Sequence, residues 1–202
     1  GLAAGITFDV DADGVLESTG WVGPDDGLLA MDLDGSGQIE DMSEVFSEVF
    51  NGGNYTDSLA ALASLDTNAD QVISAEDDQF DEILVWQDGD SDGVSTEAEL
   101  STLTDHGISA LDLDVVTTGE TVAGNTIDAV GTVEFDDATT GTFAEVTFAL
   151  DGAPTTFVFG GVISGGTEAT FEATEPEFFV VAPASDATDV TNPTEVQTAS
   201  TL

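Results

Sequence analysis

Four stretches of the sequence place oxygen-bearing side chains at alternate positions, followed by a bend and a further acid. The most complete is loop 4 (88–99), DGDSDGVSTEAE, in which Gly93 at position six permits the bend and Glu99 holds position twelve. Carboxylates this close repel one another, and the chain contains no Lys or Arg to neutralise them. Ca²⁺ takes six to eight oxygen ligands at about 2.3–2.6 Å, and alternate side chains on one bend can converge on it. The spacing therefore predicts a calcium loop of EF-hand type, whose ligands are Asp88, Asp90, Asp92, Val94 through its carbonyl, Thr96 and Glu99.

Loop 3 (66–77), DTNADQVISAED, directly precedes loop 4. Gln71 occupies the position at which a Gly usually permits the sharp bend, and Asp77, which ends the loop, is shorter than Glu. Ile73 and Ser95 hold position eight of loops 3 and 4, where paired calcium loops touch through a short strand. We therefore expect loops 3 and 4 to pack as a pair. The predicted ligands of loop 3 are Asp66, Asn68, Asp70, Val72 through its carbonyl, Ser74 and Asp77.

Loops 1 (9–20) and 2 (32–44) depart from the pattern at their last position. Loop 2 lacks an acid at position twelve, so Glu44 would close it one residue late. Loop 1 also lacks one and would need a distant acid, such as Asp25 or Asp26. A single cluster of this kind is also typical of a solvated acidic turn, but four copies favour metal binding. The predicted ligands are Asp9, Asp11, Asp13, Val15 and Glu17 in loop 1, and Asp32, Asp34, Ser36, Gln38, Glu40 and Glu44 in loop 2.

Helical spacing and capping residues surround the loops, and alternating patterns follow them. The sequence therefore predicts an α+β fold: an EF-hand-like helix–loop–helix calcium-binding part, followed by a small antiparallel β part. The expected domains are 1–110 for the four loops, 111–180 for the β region and 181–202 for an Ala/Thr/Pro-rich linker or tail. The predicted helices are 41–50, 56–65, 74–86 and 95–107, and the predicted strands are 4–10, 108–115, 126–135, 142–150 and 155–163.

The composition narrows the classes of partner. A formal net charge of −42 over 202 residues excludes nucleic acid and anionic membrane surfaces and attracts cations. No apolar run approaches the ~20 residues of a spanning helix, so membrane insertion is not expected. Cys is absent, which rules out disulfides and thiolate metal sites. The opening GLAAG has no Met or basic segment, and we expect a mature or excised piece of a longer chain.

Conventional catalysis finds little support among the remaining residues. His106 is the single His and precedes Gly107, where a structural role at the end of a helix suits it best. Trp21 and Trp86 fit core positions better than sugar-binding platforms. The chain has two Met, whereas a calcium sensor that opens a groove is rich in Met.

The order of these pieces over about 7–151 resembles a module of large RTX-type secreted bacterial proteins exported by type I systems. The resemblance is carried by FDVDADGVLESTGWVGPDDGLLAMDLDGSGQIEDMSEVF, by the segment from SLAALASLDTNAD to GISALDL, and by GNTIDAVGTVEF. The stretch is similar to modules of the iron-regulated FrpC-like type. This resemblance implies an activity in which calcium-induced folding triggers cleavage of an Asp–Pro bond, after which the new Asp end couples to a Lys amine. This chain contains neither an Asp–Pro bond nor a Lys.

We therefore predict a secreted, calcium-stabilised structural or adhesive module, not an enzyme, that holds two to four Ca²⁺ ions. Its expected partners are calcium ions, copies of itself paired through strand edges such as GLAAGITF and TFVFGGVI, and a larger parent chain. The alternative is a calcium-triggered self-processing module whose cleavage site lies upstream of Gly1.

Overall fold

The computed structural model of the chain describes residues 6–122, 125–148 and 157–163. Its strands are β1 Thr7–Phe8, β2 Glu17–Ser18, β3 Gly27–Ala30, β4 Val72–Ser74, β5 Leu84–Trp86, β6 Leu100–Thr102, β7 Ile108–Val122, β8 Asn125–Phe135, β9 Thr140–Phe148 and β10 Phe157–Ile163. An eight-stranded sheet has the order β4-β7-β8-β9-β10-β3-β5-β6, and β1 and β2 form a second, two-stranded sheet. The strand pairs in both sheets are antiparallel.

The prediction of an α+β fold built on EF-hand helix–loop–helix units is wrong. Among the described residues the one α-helix is α1, Ser58–Ala63, which lies within the predicted helix 56–65. Asp57 caps α1 by accepting a hydrogen bond from the Ala60 N–H at 2.7 Å. The other three predicted helices are strands, bridges and 3₁₀ turns, so strands and turns flank the loops instead of helices.

Segment 74–86 shows why helical spacing was misleading. The apolar run Ile83–Trp86 also fits a central strand, in which alternate side chains are buried on opposite faces of a sheet. Val85 packs in one core cluster and Trp86 in the other. β5 pairs with β3 on one side and β6 on the other, so its backbone groups are hydrogen-bonded to neighbouring strands. This tertiary pairing favours a strand over a helix, and it cannot be predicted from residue propensity.

Segments 95–107 and 41–50 break up in the same way. The 3₁₀ turn Glu97–Glu99, strand β6 and the 3₁₀ turn Thr104–His106 replace the first predicted helix. In the second, Val45 bridges to Ala30 of β3 and a 3₁₀ turn follows at Phe50–Gly52. Contacts with the sheet therefore take precedence over a regular helix at each place.

Hydrophobic clusters pack against both faces of the eight-stranded sheet. Leu29 belongs to one hydrophobic cluster, whereas its neighbours Leu28 and Ala30 belong to the other, as alternation along a strand requires. Gly131 of β8 lies opposite Phe143 of β9, and a Cβ at that Gly would come within 2.3 Å of the Phe ring. The absence of a side chain at 131 is what lets the ring fill the first cluster.

The sheet draws strands from both sides of the predicted boundary at residue 110. Strands are present where 108–115, 126–135 and 142–150 were predicted, and β1 lies within the predicted strand 4–10. The predicted tail 181–202 lies outside the described residues, and the domain boundaries stay a prediction. None of the described helices has the length and apolar character that a membrane-spanning helix needs.

Candidate metal centre

The four loops share one local backbone arrangement, in which the first Asp accepts hydrogen bonds from the amides of positions five and six. In loop 4, the Asp92 N–H donates to Asp88 Oδ1 at 3.1 Å and the Gly93 N–H donates to Asp88 Oδ2 at 2.9 Å. Equivalent bonds reach Asp9 from Asp13 and Gly14, Asp32 from Ser36 and Gly37, and Asp66 from Asp70 and Gln71. The repeat read from the sequence is thus also a repeat of backbone geometry.

Positions four and six of every loop have left-handed backbone. Gly holds position six in loops 1, 2 and 4, but loop 3 has Gln71 there, with φ 70°. A non-Gly residue in this conformation costs about 1–2 kcal/mol, so loop 3 carries strain at a position where the other loops have none. The residues concerned are Ala12, Gly14, Gly35, Gly37, Ala69, Gln71, Ser91 and Gly93.

A closing carboxylate joins the two ends of loops 3 and 4. Glu99 accepts from the Gly89 N–H at 3.1 Å and, through its other oxygen, from the Thr96 N–H at 3.0 Å. Asp77 makes the same two contacts in loop 3, from the N–H groups of Thr67 at 2.7 Å and Ser74 at 3.0 Å. Burial acts to raise the pKa of Asp77, but these donors outweigh it and hold the pKa below the usual value.

Loop 2 closes one residue late, through Glu44. The two Glu44 oxygens accept from the N–H groups of Leu33 and Glu40, each at 3.0 Å, as the closing acids of loops 3 and 4 do at their own positions two and nine. Burial, reinforced by the nearby Glu40 carboxylate, raises the pKa of Glu44 to about 7. This carboxyl group therefore retains its proton well above the normal range unless a cation is close.

Loop 1 is closed from within the loop and not from a distance. Glu17 accepts from the Val10 N–H at 3.3 Å, while Asp26 accepts from the Gly23 N–H at 2.8 Å in its own turn. Asp26 is buried, and its Oδ1 has no hydrogen-bond partner among the described residues. Burial raises the pKa of Asp26 to about 7.

Three of the loops bring three carboxylate oxygens within 4.8 Å of one another. This spacing is compatible with ligands on opposite sides of one Ca²⁺ ion, given its coordination distances of about 2.3–2.6 Å. Loop 3 is not among them, and there the Asn68 amide contacts Asp70 at 2.9 Å. The groups are Asp9, Asp11 and Asp13 in loop 1, Asp32, Asp34 and Glu44 in loop 2, and Asp88, Asp90 and Glu99 in loop 4.

Several other predicted ligands make hydrogen bonds within their own loops. The position-five side chains of Asp13, Ser36, Asp70 and Asp92 accept from the position-seven amides of Val15, Gln38, Val72 and Val94. The Thr96 hydroxyl donates to Glu99 at 3.0 Å, and the Ser74 hydroxyl accepts from the Glu76 N–H at 3.3 Å. The oxygens are thus already held in place by the loop backbone.

Charge repulsion is visible at the exposed tip of loop 4. The pKa of Asp90 is raised, chiefly by the Asp92 carboxylate and then by burial and by Glu99. The sequence offers no Lys or Arg that could relieve it. A hard divalent cation is the partner that this all-oxygen donor set fits best.

The expected pairing of loops 3 and 4 is not what the structure contains. Ile73 of loop 3 pairs with Leu111 of β7, within the main sheet. Ser95 of loop 4 instead meets Ile39, which holds position eight of loop 2, and its hydroxyl accepts from the Ile39 N–H at 2.5 Å. Position eight therefore does join two loops, but the partner of loop 4 is loop 2.

Trp21 is a site residue that the loop spacing did not reveal. Its indole N–H donates to Asp88 Oδ2 at 2.6 Å, and the Asp88 side chain is fully buried (0% exposed). The rings of Phe8, Trp21 and Trp86 pack together with centroids 5.3–5.5 Å apart, so both Trp residues are core residues as expected. No sequence signal marks the Trp21 contact, because the two residues are 67 positions apart.

His106 makes one side-chain contact of note, with the Ser101 hydroxyl at 2.6 Å from Nε2. Burial lowers the pKa of His106, while Asp105 opposes this. The turn that carries it ends at Gly107, which has left-handed backbone. These contacts suit the structural role expected from its place before Gly107.

Comparison with known proteins places this arrangement in a family. The SPM domain model matches residues 1–149, and the chain belongs to that family. It is similar to the iron-regulated protein FrpA of Neisseria meningitidis serogroup C, with 39% identity over 152 residues. The match covers 73% of this chain but 14% of that protein, so the chain corresponds to a small part of its relative.

Proposed function

We propose that this chain is a calcium-binding, calcium-stabilised structural or adhesive module of a secreted bacterial surface or extracellular protein. The observation that carries the proposal is the shared loop geometry, with three carboxylate oxygens within 4.8 Å in each of three loops. The resemblance of about 7–151 to a module of RTX-type secreted bacterial proteins supports the extracellular setting. The loops are flanked by strands and turns, so the proposal concerns calcium loops and not EF-hand domains.

The donor set favours Ca²⁺ over other common cations. Every loop offers carboxylates and a backbone carbonyl, loops 2, 3 and 4 add a hydroxyl, and loop 3 adds the Asn68 amide oxygen. None of the loops offers the thiolate or imidazole ligands that zinc prefers. Ca²⁺ tolerates the irregular six-to-eight-oxygen shell of a single loop, whereas Mg²⁺ demands a near-ideal octahedron. We expect two to four ions, with loops 2 and 4 as the best-formed sites because a closing Glu completes each cluster.

Calcium should also determine whether the loop-bearing part folds. Four Ca²⁺ ions would change the formal net charge from −42 to −34, since 4 × 2 = 8. The global charge stays large, but the repulsion within each loop is relieved where it is strongest. Binding free energy is then also folding free energy.

Calorimetric titration of chelator-stripped protein with Ca²⁺ tests the proposal. We expect two to four ions to bind and far-UV circular dichroism to change in step with occupancy, with Mg²⁺ at the same concentration giving a much smaller response. Equal circular dichroism and equal urea midpoints in millimolar Ca²⁺ and in EGTA would contradict the proposal.

Self-assembly through strand edges is a further part of the proposal, but at a different edge from those predicted. The predicted edge TFVFGGVI is an internal strand, since β10 pairs with β9 and β3, and GLAAG lies outside the described residues. β4 pairs with Ala110–Asp112 of the fifteen-residue β7, and beyond Leu113 the same edge has no strand partner among the described residues. Val116 on that stretch is 70% exposed. Open edges of this kind accept strands from other chains. Sedimentation velocity with Ca²⁺ and with EGTA tests for filaments or oligomers, and a monomer in both at high concentration removes this part.

Calcium-triggered self-processing is the second candidate, because the order of the loops resembles FrpC-like modules, for which this activity is implied. The sequence contains no Asp–Pro bond, so cleavage would have to occur upstream of Gly1. A chain extended upstream into its natural sequence, incubated with Ca²⁺ and analysed by mass spectrometry, decides the point. Fragments ending near residue 1 support self-processing, and an intact mass after prolonged incubation removes it.

A further inference from the structure

Loops 2 and 4 are joined at position eight of each. The Ser95 hydroxyl of loop 4 accepts from the Ile39 N–H of loop 2 at 2.5 Å and lies 3.3 Å from the Ile39 carbonyl oxygen. The Gln38 side-chain amide donates to the Ser95 carbonyl at 2.9 Å. Ser95 and Ile39 are both buried, so these bonds are shielded from competing water.

Loop 1 touches loop 2 through its first residue. The Asp9 carbonyl accepts from the Met42 N–H at 3.0 Å, and Asp9 forms a parallel bridge with Asp41. Asp41 and Met42 lie in sequence between Glu40 and Glu44. Loop 2 is closed there by a hydrogen bond from the Glu40 backbone N–H to the Glu44 side chain. A change in the backbone of either loop is thus transmitted to the other.

Loop 1 also touches loop 4, which completes a closed set of three contacts. Trp21, just after loop 1, donates its indole N–H to the buried Asp88 at the start of loop 4. Gly93 of loop 4 lies against β1, where a Cβ would meet the Thr7 carbonyl at 3.1 Å. Asp88 therefore has donors from its own loop and from outside it, and its position depends on both.

Loop 3 lies on the opposite face of the sheet. Ile73 belongs to the hydrophobic cluster of Leu29 and Val85, whereas Ile39, Trp21 and Trp86 belong to the other cluster. Its contacts run to β7, through the Ile73–Leu111 pair and a 2.9 Å bond from the Leu113 N–H to the Gln71 carbonyl.

We propose that loops 1, 2 and 4 take up calcium as one cooperative unit, that Trp21 and Ser95 are the positioning residues that couple them, and that loop 3 fills independently. The inference rests on the proposed calcium function. An ion in loop 4 orders Asp88 and Ser95, which fixes the indole next to loop 1 and position eight of loop 2. The next ions then bind to loops that are already ordered, so their binding no longer includes the entropy cost of ordering the loop. This is positive coupling between the sites.

Variants of the two coupling residues that leave the predicted ligands intact provide the first test. Trp21→Phe keeps an aromatic ring but removes the N–H, and Ser95→Ala removes the bridging hydroxyl. Ser101→Ala, a half-buried hydroxyl outside the loops, is the matched control. In calorimetric Ca²⁺ titrations of the full 202-residue chain, we expect both coupling variants to broaden the steep phase and raise its midpoint about fivefold or more, a factor typical of coupled sites. Ser101→Ala should titrate like the parent chain.

Loop-specific occupancy provides the second test, read from NMR shifts of the position-six amides of Gly14, Gly37, Gln71 and Gly93 during the titration. Asp88→Asn should weaken filling of loops 1 and 2 as well as loop 4, while the matched Asp66→Asn should affect loop 3 alone. Because Asp88 is buried, Glu99→Gln at the loop end serves as a second loop 4 variant. Circular dichroism at saturating Ca²⁺ identifies any variant that fails to fold.

The outcomes separate the two proposals. If none of the four loops of the parent chain takes up Ca²⁺, the proposed function itself is overturned. If loops 1, 2 and 4 fill independently of one another, the coupling is overturned but calcium binding is not. The same holds if Trp21→Phe and Ser95→Ala both titrate like the parent chain. A shift in loops 1, 2 and 4 caused by Asp66→Asn overturns the separateness of loop 3.

Discussion

The loop-bearing part of the chain (6–107) and the long-strand part (108–148) are held together by different interactions. Strands of the first part have two to four residues, and many of its backbone N–H groups are bonded by acidic side chains. β7, β8 and β9 have nine to fifteen residues and bond to each other through backbone ladders. The first part therefore depends on what neutralises its acids, and the second on apolar burial and strand pairing.

The two parts nevertheless share one core. Phe143 and Val133 from the long strands belong to the same hydrophobic cluster as Phe46, Phe50 and Ile73 from the loop-bearing part. The long strands thus act as the support on which the loops are assembled. The following four changes, ordered by expected effect, test how far the two parts can be separated.

Phe143→Ala should have the largest effect, a loss of about 3–5 kcal/mol of unfolding free energy, because it empties a fully buried ring site. The loss should persist in saturating Ca²⁺, since the ring lies in a hydrophobic cluster and not in one of the four loops. Urea denaturation measures it, with the exposed Val116→Ala as a control that changes stability by less than about 0.5 kcal/mol. If the loss disappears in saturating Ca²⁺, the long-strand part does not depend on apolar burial in the way described.

Glu44→Gln should weaken Ca²⁺ binding about tenfold, equivalent to about 1.4 kcal/mol, because it removes the charge that closes loop 2. In calcium-free buffer at pH 8 the same change should not lower stability, since burial already disfavours the ionised carboxyl group. Calorimetry and urea denaturation give the two numbers. Glu134→Gln, on an exposed position of β8, is the matched control and should change neither.

Asp26→Asn should remove a pH-dependent contribution of about 1–2 kcal/mol to the free energy of unfolding. This figure is smaller than the full pKa shift would give, because solvent partly screens the group. Burial raises the pKa of Asp26 from 3.8 to about 7, so the folded state keeps a proton that the unfolded chain has lost. Its contribution to stability therefore falls as the pH rises from about 4 to 7 and is constant above that range. Urea denaturation at pH 5 and pH 8 in saturating Ca²⁺ should show a decline in the parent chain that is smaller in the variant. An equal decline in both shows that Asp26 does not hold the proton.

Gln71→Gly should have the smallest effect, a gain of about 0.5 kcal/mol. The left-handed backbone at this position costs a non-Gly residue about 1–2 kcal/mol, and the greater freedom of Gly in the unfolded chain offsets part of the gain. The reverse change Gly14→Gln in loop 1, where a side chain meets open space, should cost a similar amount. Thermal melts in saturating Ca²⁺ compare the two, and a stabilising Gly14→Gln would contradict the strain argument.

Sequence reasoning located the loops because their geometry is local. The first Asp of each loop bonds to amides four and five residues away, and Glu44 closes loop 2 one residue late as its spacing suggested. α1 and the long strands were also foreseeable, from a cap at Asp57 and from alternation over many residues.

The flanking elements and the partners of the loops were decided by tertiary structure. Apolar runs such as Ile83–Trp86 suit either a buried helix or a central strand, and only the neighbours of β5 settle the choice. In the same way, position eight of loop 4 could meet any other loop, and the sheet brings it to Ile39 instead of Ile73. Side-chain spacing encodes what one bend of the chain can bind, whereas the burial of two faces of one sheet determines which bends lie together.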